Sequence, residues 1–295
     1  MKYKKYEAKE YARENFRGVW AATATPFKED LSLDEDGFRK NMRHWAQTLK
    51  LGGLFVNGKQ GEFFSMSVPE RKRTFELAVE GAFGHCGVVT SCSDTNLDVV
   101  LDLARHSQNI GADYIVVHSP VLHFHHNAEA TVYEYYRHLS EQLDIGIALW
   151  NHPDCGYIMS PELCARIAEL PNIVAMKYSV DRAMYTRLTE LAGDRILVST
   201  ASEEEWLDNI IDLGWRLYLA RRHPSCCRPQ WTSASTSTPA WLLKASTPRH
   251  AWCATAWSRR ARPSARPAPA ARRRPIPSTG WNCSARSVAR FAARC

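Results

Sequence analysis

The first 220 residues alternate between short apolar runs and longer segments with helical spacing. The runs are rich in β-branched and aromatic residues and are bounded by turn residues, as β-strands are. Eight such runs predict strands at residues 18–27, 52–58, 86–93, 112–119, 145–151, 172–179, 195–200 and 215–220. The segments between them place apolar residues three and four positions apart, which is the spacing of one buried helix face.

Regular alternation of strands and helices predicts parallel strands joined by right-handed crossovers. Eight such units favour an α/β fold of the (β/α)8 TIM barrel type, and a doubly wound open sheet is the alternative. Ser67 and Glu70 have the spacing of a capping box, and Ser160 suits the N-cap position before Pro161. In a barrel of this kind, the active-site groups lie at the C-terminal ends of the strands.

The composition of the chain changes after Asp212. No Asp or Glu occurs in the remaining 83 residues, which hold 16 of the 38 Lys and Arg, so the net charge of +7 comes from this part. Residues 221–295 lack a periodic apolar pattern and are rich in Pro, Ser, Ala and Arg, which cannot bury a core face. We therefore expect a barrel over residues 1–220 and an aberrant, largely irregular tail over residues 221–295.

Three interpretations of this tail remain open. Back-translation with GC-rich codons, read from the third base of each codon, gives sequences that resemble amphipathic helices. This favours a shifted reading frame, as a result of which the tail replaces the last barrel helix and the C-terminal helices. The alternatives are a disordered tail and a basic tail that binds nucleic acid. Because a shifted frame makes the basic charge accidental, we expect no nucleic-acid partner.

The rest of the composition narrows the class of protein. The first residues are charged, and no apolar run of about 18 residues follows, so we predict a cytoplasmic protein without a secretory signal or a membrane partner. The nine cysteines lack the paired short spacings of a disulfide framework or a zinc site, and we expect reduced thiols. No phosphate-binding glycine motif follows a strand. We expect neither a nucleotide cofactor nor a metal.

A lysine at the end of an apolar strand is the most informative residue of the sequence. Lys177 closes the run NIVAMKYS. A buried ammonium without a partner is costly, so the pKa of such a lysine falls and a nucleophilic neutral amine becomes available. The alternative is a lysine whose stem crosses apolar surface while its ammonium stays in water.

Five segments within residues 16–220 carry a resemblance to a known family. They are GVWAATATPF, GLFVNGKQGEFFSMSVPER, GADYIVVHSP, LWNHP and NIVAMKYS. Together they resemble the dihydrodipicolinate synthase and N-acetylneuraminate lyase family of class I aldolases and hydro-lyases. The resemblance implies that Lys177 forms a Schiff base with the 2-oxo group of pyruvate or another 2-oxo acid. It also implies a homo-tetramer, whose surfaces partly depend on C-terminal helices that this tail does not encode.

The family has a Gly-Thr-Thr-Gly-Glu turn after the second strand that holds the substrate carboxylate. The turn reads Gly58-Lys59-Gln60-Gly61-Glu62 in this chain. Because both glycines are present, we expect an anion-binding turn formed by backbone N–H groups. Lys59 and Gln60 stand where the family has two hydroxyls, and they would add a cation and an amide donor. We expect Glu62 to brace the turn.

A tyrosine that shuttles protons in the family is replaced by Trp150, within Trp150-Asn151-His152-Pro153. An indole N–H can only donate a hydrogen bond, so the usual proton relay is missing. We predict that Trp150 and His152 are catalytic positions beside Lys177, with His152 as the acid and base, and that Asn151 binds substrate. Further histidines near the barrel mouth are His118, His123, His125 and His126.

Two other departures argue against the lysine-pathway synthase. The arginine that binds the amino-aldehyde carboxylate has no counterpart in PDCGY, and Val121 and Leu122 replace a pair of aromatic residues. The sequence thus predicts a Schiff-base-forming lyase, either an aldolase or a hydro-lyase, acting on pyruvate or another 2-oxo acid. The alternative is a non-catalytic or degenerate family member that binds a small molecule.

Overall fold

The eight predicted strands are present, and each lies within one of the eight apolar runs. The structure is a computed structural model that describes residues 1–120 and 128–220. The strands are β1 Gly18–Ala22, β2 Gly53–Val56, β3 Gly87–Ser91, β4 Tyr114–His118, β5 Gly146–Asn151, β6 Ile173–Tyr178, β7 Leu197–Ser199 and β8 Leu217–Leu219. All pairings are parallel, in the order β7-β6-β5-β4-β3-β2-β1-β8. The predicted (β/α)8 TIM barrel is confirmed.

Helices precede or connect these strands. They are α1 Ala8–Asn15, α2 Glu35–Arg43, α3 Val68–Ala82, α4 Leu97–Asn109, α5 Ala128–Gln142, α6 Pro161–Ile167, α7 Arg182–Ala192 and α8 Trp206–Leu213. The predicted helix starts are confirmed, because Ser67 and Glu70 form a capping box and Ser160 Oγ accepts the Leu163 amide at 3.1 Å. None of the helices in the described ranges is long and apolar enough to cross a membrane.

Side chains at alternate strand positions fill the barrel in layers. The register pairs His118 on β4 with Trp150 on β5, and Trp150 with Lys177 on β6. Directly paired residues of a parallel sheet point to the same face. Trp150 belongs to the buried apolar cluster of the barrel, so the three side chains share its interior at the C-terminal ends of the strands. We call His118, Trp150 and Lys177 the C-terminal layer.

Trp20 fills the opposite end of the barrel. A Cβ atom on either Gly53 or Gly87 would lie 2.3 Å from the Trp20 ring, so the glycines that begin β2 and β3 make room for the indole. Phe16 stacks on Tyr114 with their ring centroids 4.3 Å apart. The segment before β1 therefore closes the N-terminal end of the barrel. The opposite, C-terminal end is the one at which enzymes with this fold have their active sites.

The barrel closes between β7 and β8 through a side chain. β8 pairs with β1 through the backbone, whereas on its other side the Leu219 amide donates to Ser199 Oγ at 3.0 Å. The four cysteines among the described residues are free thiols. The proposed tail at residues 221–295 lies outside the described residues, as do Val121, Leu122, His123, His125 and His126.

Candidate active site

Lys177 lies inside the barrel at the C-terminal end of β6. The residue is only 3% exposed. Its Nζ lies 5.2 Å from the ring centroid of Phe55 and 5.9 Å from that of Trp150, and it donates to the Ala220 carbonyl at 3.5 Å. The alternative in which the ammonium reaches water does not fit a lysine this buried. The amine is enclosed by aromatic faces and a backbone carbonyl.

Trp150 lies beside Lys177 at the same register position. It is 6% exposed and meets Phe55 edge to face, with ring centroids 6.3 Å apart. Its Nε1 is buried and finds no hydrogen-bond acceptor in the described part of the chain. A buried donor left unpaired costs about 1–3 kcal/mol. The indole therefore holds an unused hydrogen-bond donor within the C-terminal layer.

His118 completes this layer and is 4% exposed. Its Nδ1 lies 2.6 Å from the Ser119 carbonyl oxygen, so Nδ1 carries a hydrogen and Nε2 is the basic nitrogen of the neutral ring. Burial lowers the pKa of His118 below its ordinary value of 6.5, and the nearby Arg71 guanidinium lowers it further. The imidazole is therefore a neutral base, with its centroid 6.0 Å from that of Trp150.

The turn after β2 includes a short 3-10 segment, Lys59–Gly61, and both of its glycines are needed for close packing. A Cβ on Gly58 would lie 3.0 Å from the Phe55 ring, and a Cβ on Gly61 would lie 3.0 Å from the Thr23 carbonyl oxygen. Gln60 lies in the same segment. The Gly61 carbonyl accepts a hydrogen bond from a threonine hydroxyl of the β1 loop at 2.8 Å. These contacts hold the turn against the Phe55 ring, which faces the Lys177 amine.

An ion pair joins this turn to the loop after β5. The Lys59 ammonium pairs with the Asp154 carboxylate, so the predicted substrate cation is already in contact with an acid of the protein. His152 Nδ1 accepts the Asp154 amide at 3.1 Å and lies 3.2 Å from its carboxylate. The His152 side chain is 25% exposed, and its ring centroid lies 6.3 Å from that of Trp150.

Asn151 shapes the loop that carries His152. Its Nδ2 donates to the Tyr157 carbonyl at 2.8 Å, and its Oδ1 accepts the Met159 amide at 3.0 Å. The residue is fully buried. Both ends of the amide thus hold the loop, and the substrate contact suggested for Asn151 stays a prediction.

Arg71 is a buried charge that no sequence motif indicated. From α3 its guanidinium donates to the Asp94 carboxylate at 3.0 Å and to the carbonyls of Ser91 and Ser93 at 3.1 and 2.8 Å. It ties α3 to the end of β3 and depresses the pKa of His118. The available signal was an arginine at a position that shares a helix face with the buried Phe75 and its neighbours.

The sequence of the barrel matches a known family. Residues 15–220 match the model of the dihydrodipicolinate synthetase family. A 4-hydroxy-tetrahydrodipicolinate synthase of Methanothrix thermoacetophila is 32% identical over 201 residues, which are 68% of this chain and 66% of that protein. An uncharacterised DapA-like lyase of Thermococcus onnurineus is 33% identical over 200 residues, which are 66% of this chain and 67% of that protein. The chain therefore spans about two thirds of the length of these relatives.

A solved structure shares the same fold. It is YagE, a prophage protein of the dihydrodipicolinic acid synthase family from E. coli K12, in complex with pyruvate. The TM-score is 0.65 at 24% sequence identity, and the match covers 70% of each chain. The family match over residues 15–220 and the barrel lead to one conclusion. This chain belongs to the dihydrodipicolinate synthetase family, whose members include synthases and N-acetylneuraminate lyases.

Proposed function

We propose that this chain is a Schiff-base-forming lyase, an aldolase or hydro-lyase that acts on pyruvate or another 2-oxo acid through Lys177. The observation that carries the proposal is the burial of the Lys177 amine between the rings of Phe55 and Trp150 at the C-terminal end of β6. Membership of a lyase family supports it, and so does the pyruvate complex of a protein with the same fold.

The environment of the amine suits this chemistry. Burial disfavours the charged ammonium and so increases the fraction of neutral amine. That amine attacks the 2-oxo carbon, water leaves, and the resulting iminium withdraws electrons from the neighbouring carbon. The iminium thereby stabilises the carbanion that forms when a C–C bond breaks or a proton departs.

The turn at residues 58–62 is the proposed site for the substrate carboxylate. Gly58 and Gly61 let the backbone approach the substrate, while Lys59 and Gln60 supply a cation and an amide donor. The contact between Lys59 and Asp154 means that the substrate carboxylate competes with a carboxylate of the protein for this ammonium. A substrate that is bound covalently at Lys177 is favoured in this competition, because its carboxylate is held close to the turn.

Borohydride trapping tests the proposal. Incubation with pyruvate and borohydride should add the mass of one reduced pyruvate to the peptide that contains Lys177. The Lys177→Met variant, which keeps the length of the side chain without the amine, should stay unmodified, while Lys59→Met should still be labelled. If pyruvate binds to the unaltered chain but no peptide gains mass, the non-catalytic binding protein is the correct assignment.

A further inference from the structure

Schiff-base chemistry needs a group that accepts and returns a proton, and Trp150 has no titratable nitrogen near neutral pH. Across β4 to β7 the residues paired at this level are His118, Trp150, Lys177 and Ser199. Apart from the lysine itself, only the imidazole is a base near neutral pH. We propose that His118 is the general acid and base of this reaction; this rests on the Schiff-base function proposed above.

The geometry of the C-terminal layer supports this assignment. The indole of Trp150 lies between the other two groups, 5.9 Å from Lys177 Nζ to the ring centroid and 6.0 Å from centroid to centroid with His118. A small acid joined to Nζ and resting on the indole therefore lies between the amine and the imidazole. The imidazole on β4 thus approaches the substrate from a strand two positions away from β6, which carries the lysine.

The hydrogen bonds of His118 prepare it for this task. The bond from Nδ1–H to the Ser119 carbonyl fixes the tautomer and the ring, and no described residue bonds Nε2. The backbone amide of His118 donates to Ser93 Oγ at 3.0 Å, which holds the end of β4 in place. Nε2 is thus left as a base for the substrate on a rigid strand end, where its position is defined.

A second observation indicates that a ligand belongs beside His118. Trp150 Nε1 is buried without an acceptor in the described ranges, in an indole that contacts both the imidazole and the amine. An oxygen of the bound acid would satisfy this donor. In the proposal the indole N–H holds the substrate oxygen, and the imidazole moves the proton.

His152 is less suited to the role that the sequence suggested for it. Its Nδ1 is engaged by the Asp154 amide next to the Asp154 carboxylate, and a quarter of its side chain is exposed to solvent. A proton held there exchanges directly with water. His118 is instead buried in the barrel interior at the level of Lys177.

The proposed step can be written for pyruvate alone. After pyruvate has formed the iminium with Lys177, Nε2 of His118 removes a proton from the methyl carbon. The C–H electron pair forms a C=C bond while the C=N pair moves to nitrogen, which gives a neutral enamine and an imidazolium. The reverse step returns the proton, so in D2O the methyl group of pyruvate acquires deuterium.

The experiment combines deuterium exchange with borohydride trapping on the full chain. The His118→Asn variant keeps a donor for the Ser119 carbonyl but has no basic nitrogen. His152→Asn tests the competing assignment, and His44→Asn, at an exposed position after α2, is the matched control. Exchange into the pyruvate methyl group is followed by proton NMR, and trapping at Lys177 by mass spectrometry. In His118→Asn we expect trapping to persist while exchange falls about 100-fold or more, since general base catalysis contributes 10²–10⁴-fold. In the control His44→Asn we expect both to persist.

Each remaining outcome has a defined meaning. Exchange at the original rate in His118→Asn, or its loss in His152→Asn, would overturn the role of His118. Absence of trapping in the unaltered chain would overturn the Schiff-base function itself. If His118→Asn loses trapping with an unchanged near-UV circular dichroism spectrum, the proposal also fails. If that spectrum changes, His118→Gln replaces it and the same criteria decide.

Discussion

Trp150 separates the amine of Lys177 from the imidazole of His118, and both groups are buried beside it. The aromatic faces keep water from the amine, while burial keeps the imidazole neutral. The sequence could predict that Lys177 lies at the end of a buried strand, because it closes an apolar run. It could not place His118 at the level of Trp150, because the pairing of β4 with β5 depends on sheet register, which no local pattern specifies.

The pH dependence of deuterium exchange is the prediction at this scale. The charged groups that act on His118 are Arg71 on α3 and Asp94 after β3. Burial and Arg71 outweigh the hydrogen bond to the Ser119 carbonyl and the charge of Asp94, which raise the pKa, so the pKa of His118 lies below 6.5. In the proposed mechanism the neutral ring is the base, so exchange should persist as the pH falls through 6.5 and decline only below it. A midpoint of the acid limb above 6.5, measured by NMR, would contradict this.

At the scale of elements, the alternating pattern located every strand but overestimated β1. The predicted run ends at residue 27, whereas β1 ends at Ala22. Thr23 and Thr25 have the β-branched shape typical of strands, yet their hydroxyls bond the Phe55 and Gly61 carbonyls in the loop beyond β1. A propensity scale records the shape of threonine and does not record where its hydroxyl finds a partner. The extra predicted strand residues therefore belong to the wall of the candidate site.

The helix after β1 shows a second limit. The helical spacing of the segment LDEDGFRKNMRHWAQTLK, residues 33–50, predicts one continuous helix. In the structure α2 ends at Arg43 and a π-helical turn follows at His44–Thr48. Inserting one residue into a helical turn changes the apolar spacing too little to be seen in a short segment. The existence of the element could be predicted, but its local geometry could not.

The packing of Trp20 against β2 and β3 gives a prediction at this scale. Gly53→Ala would place a Cβ 2.3 Å from the indole, so we expect a loss of about 1–3 kcal/mol in the free energy of unfolding. Denaturant unfolding measures this loss. If the clash is the cause, Trp20→Leu should cost less in the Gly53→Ala background than alone. Additive effects of the two changes would show that the indole is not responsible.

At the scale of the whole molecule, most neighbouring strands of the barrel are joined through backbone hydrogen bonds, and one junction is formed by a side chain. Strands β1 to β7 and the β1–β8 pair are joined through the backbone, while β7 and β8 meet at the bond between Leu219 and Ser199. Strand and helix alternation predicts that a barrel closes, but it cannot show that a serine side chain forms the junction. Here β8 also has only three residues.

Ser199→Ala tests how much the closure depends on this bond. The Leu219 amide would lose its acceptor, at a cost of about 1–3 kcal/mol. We expect the amides of β8 to exchange with deuterium faster while those of β3 keep their protection, as followed by hydrogen-exchange mass spectrometry. Ser91→Ala is the matched control, since this buried serine ends a strand that is paired on both sides. Equal exchange of β8 in both variants would contradict the prediction.

The position of Ala220 has a consequence for the chain while it is being synthesised. Ala220 follows β8 directly, its amide donates to the Trp20 carbonyl at 3.0 Å, and its own carbonyl contacts Lys177 Nζ. In a nascent polypeptide whose eighth strand is still inside the ribosome, Lys177 has already been synthesised, but the Ala220 carbonyl is not yet in place beside its amine. In that state the amine would stay in contact with water. The last side of the Lys177 enclosure is therefore added only after the eighth strand has left the ribosome.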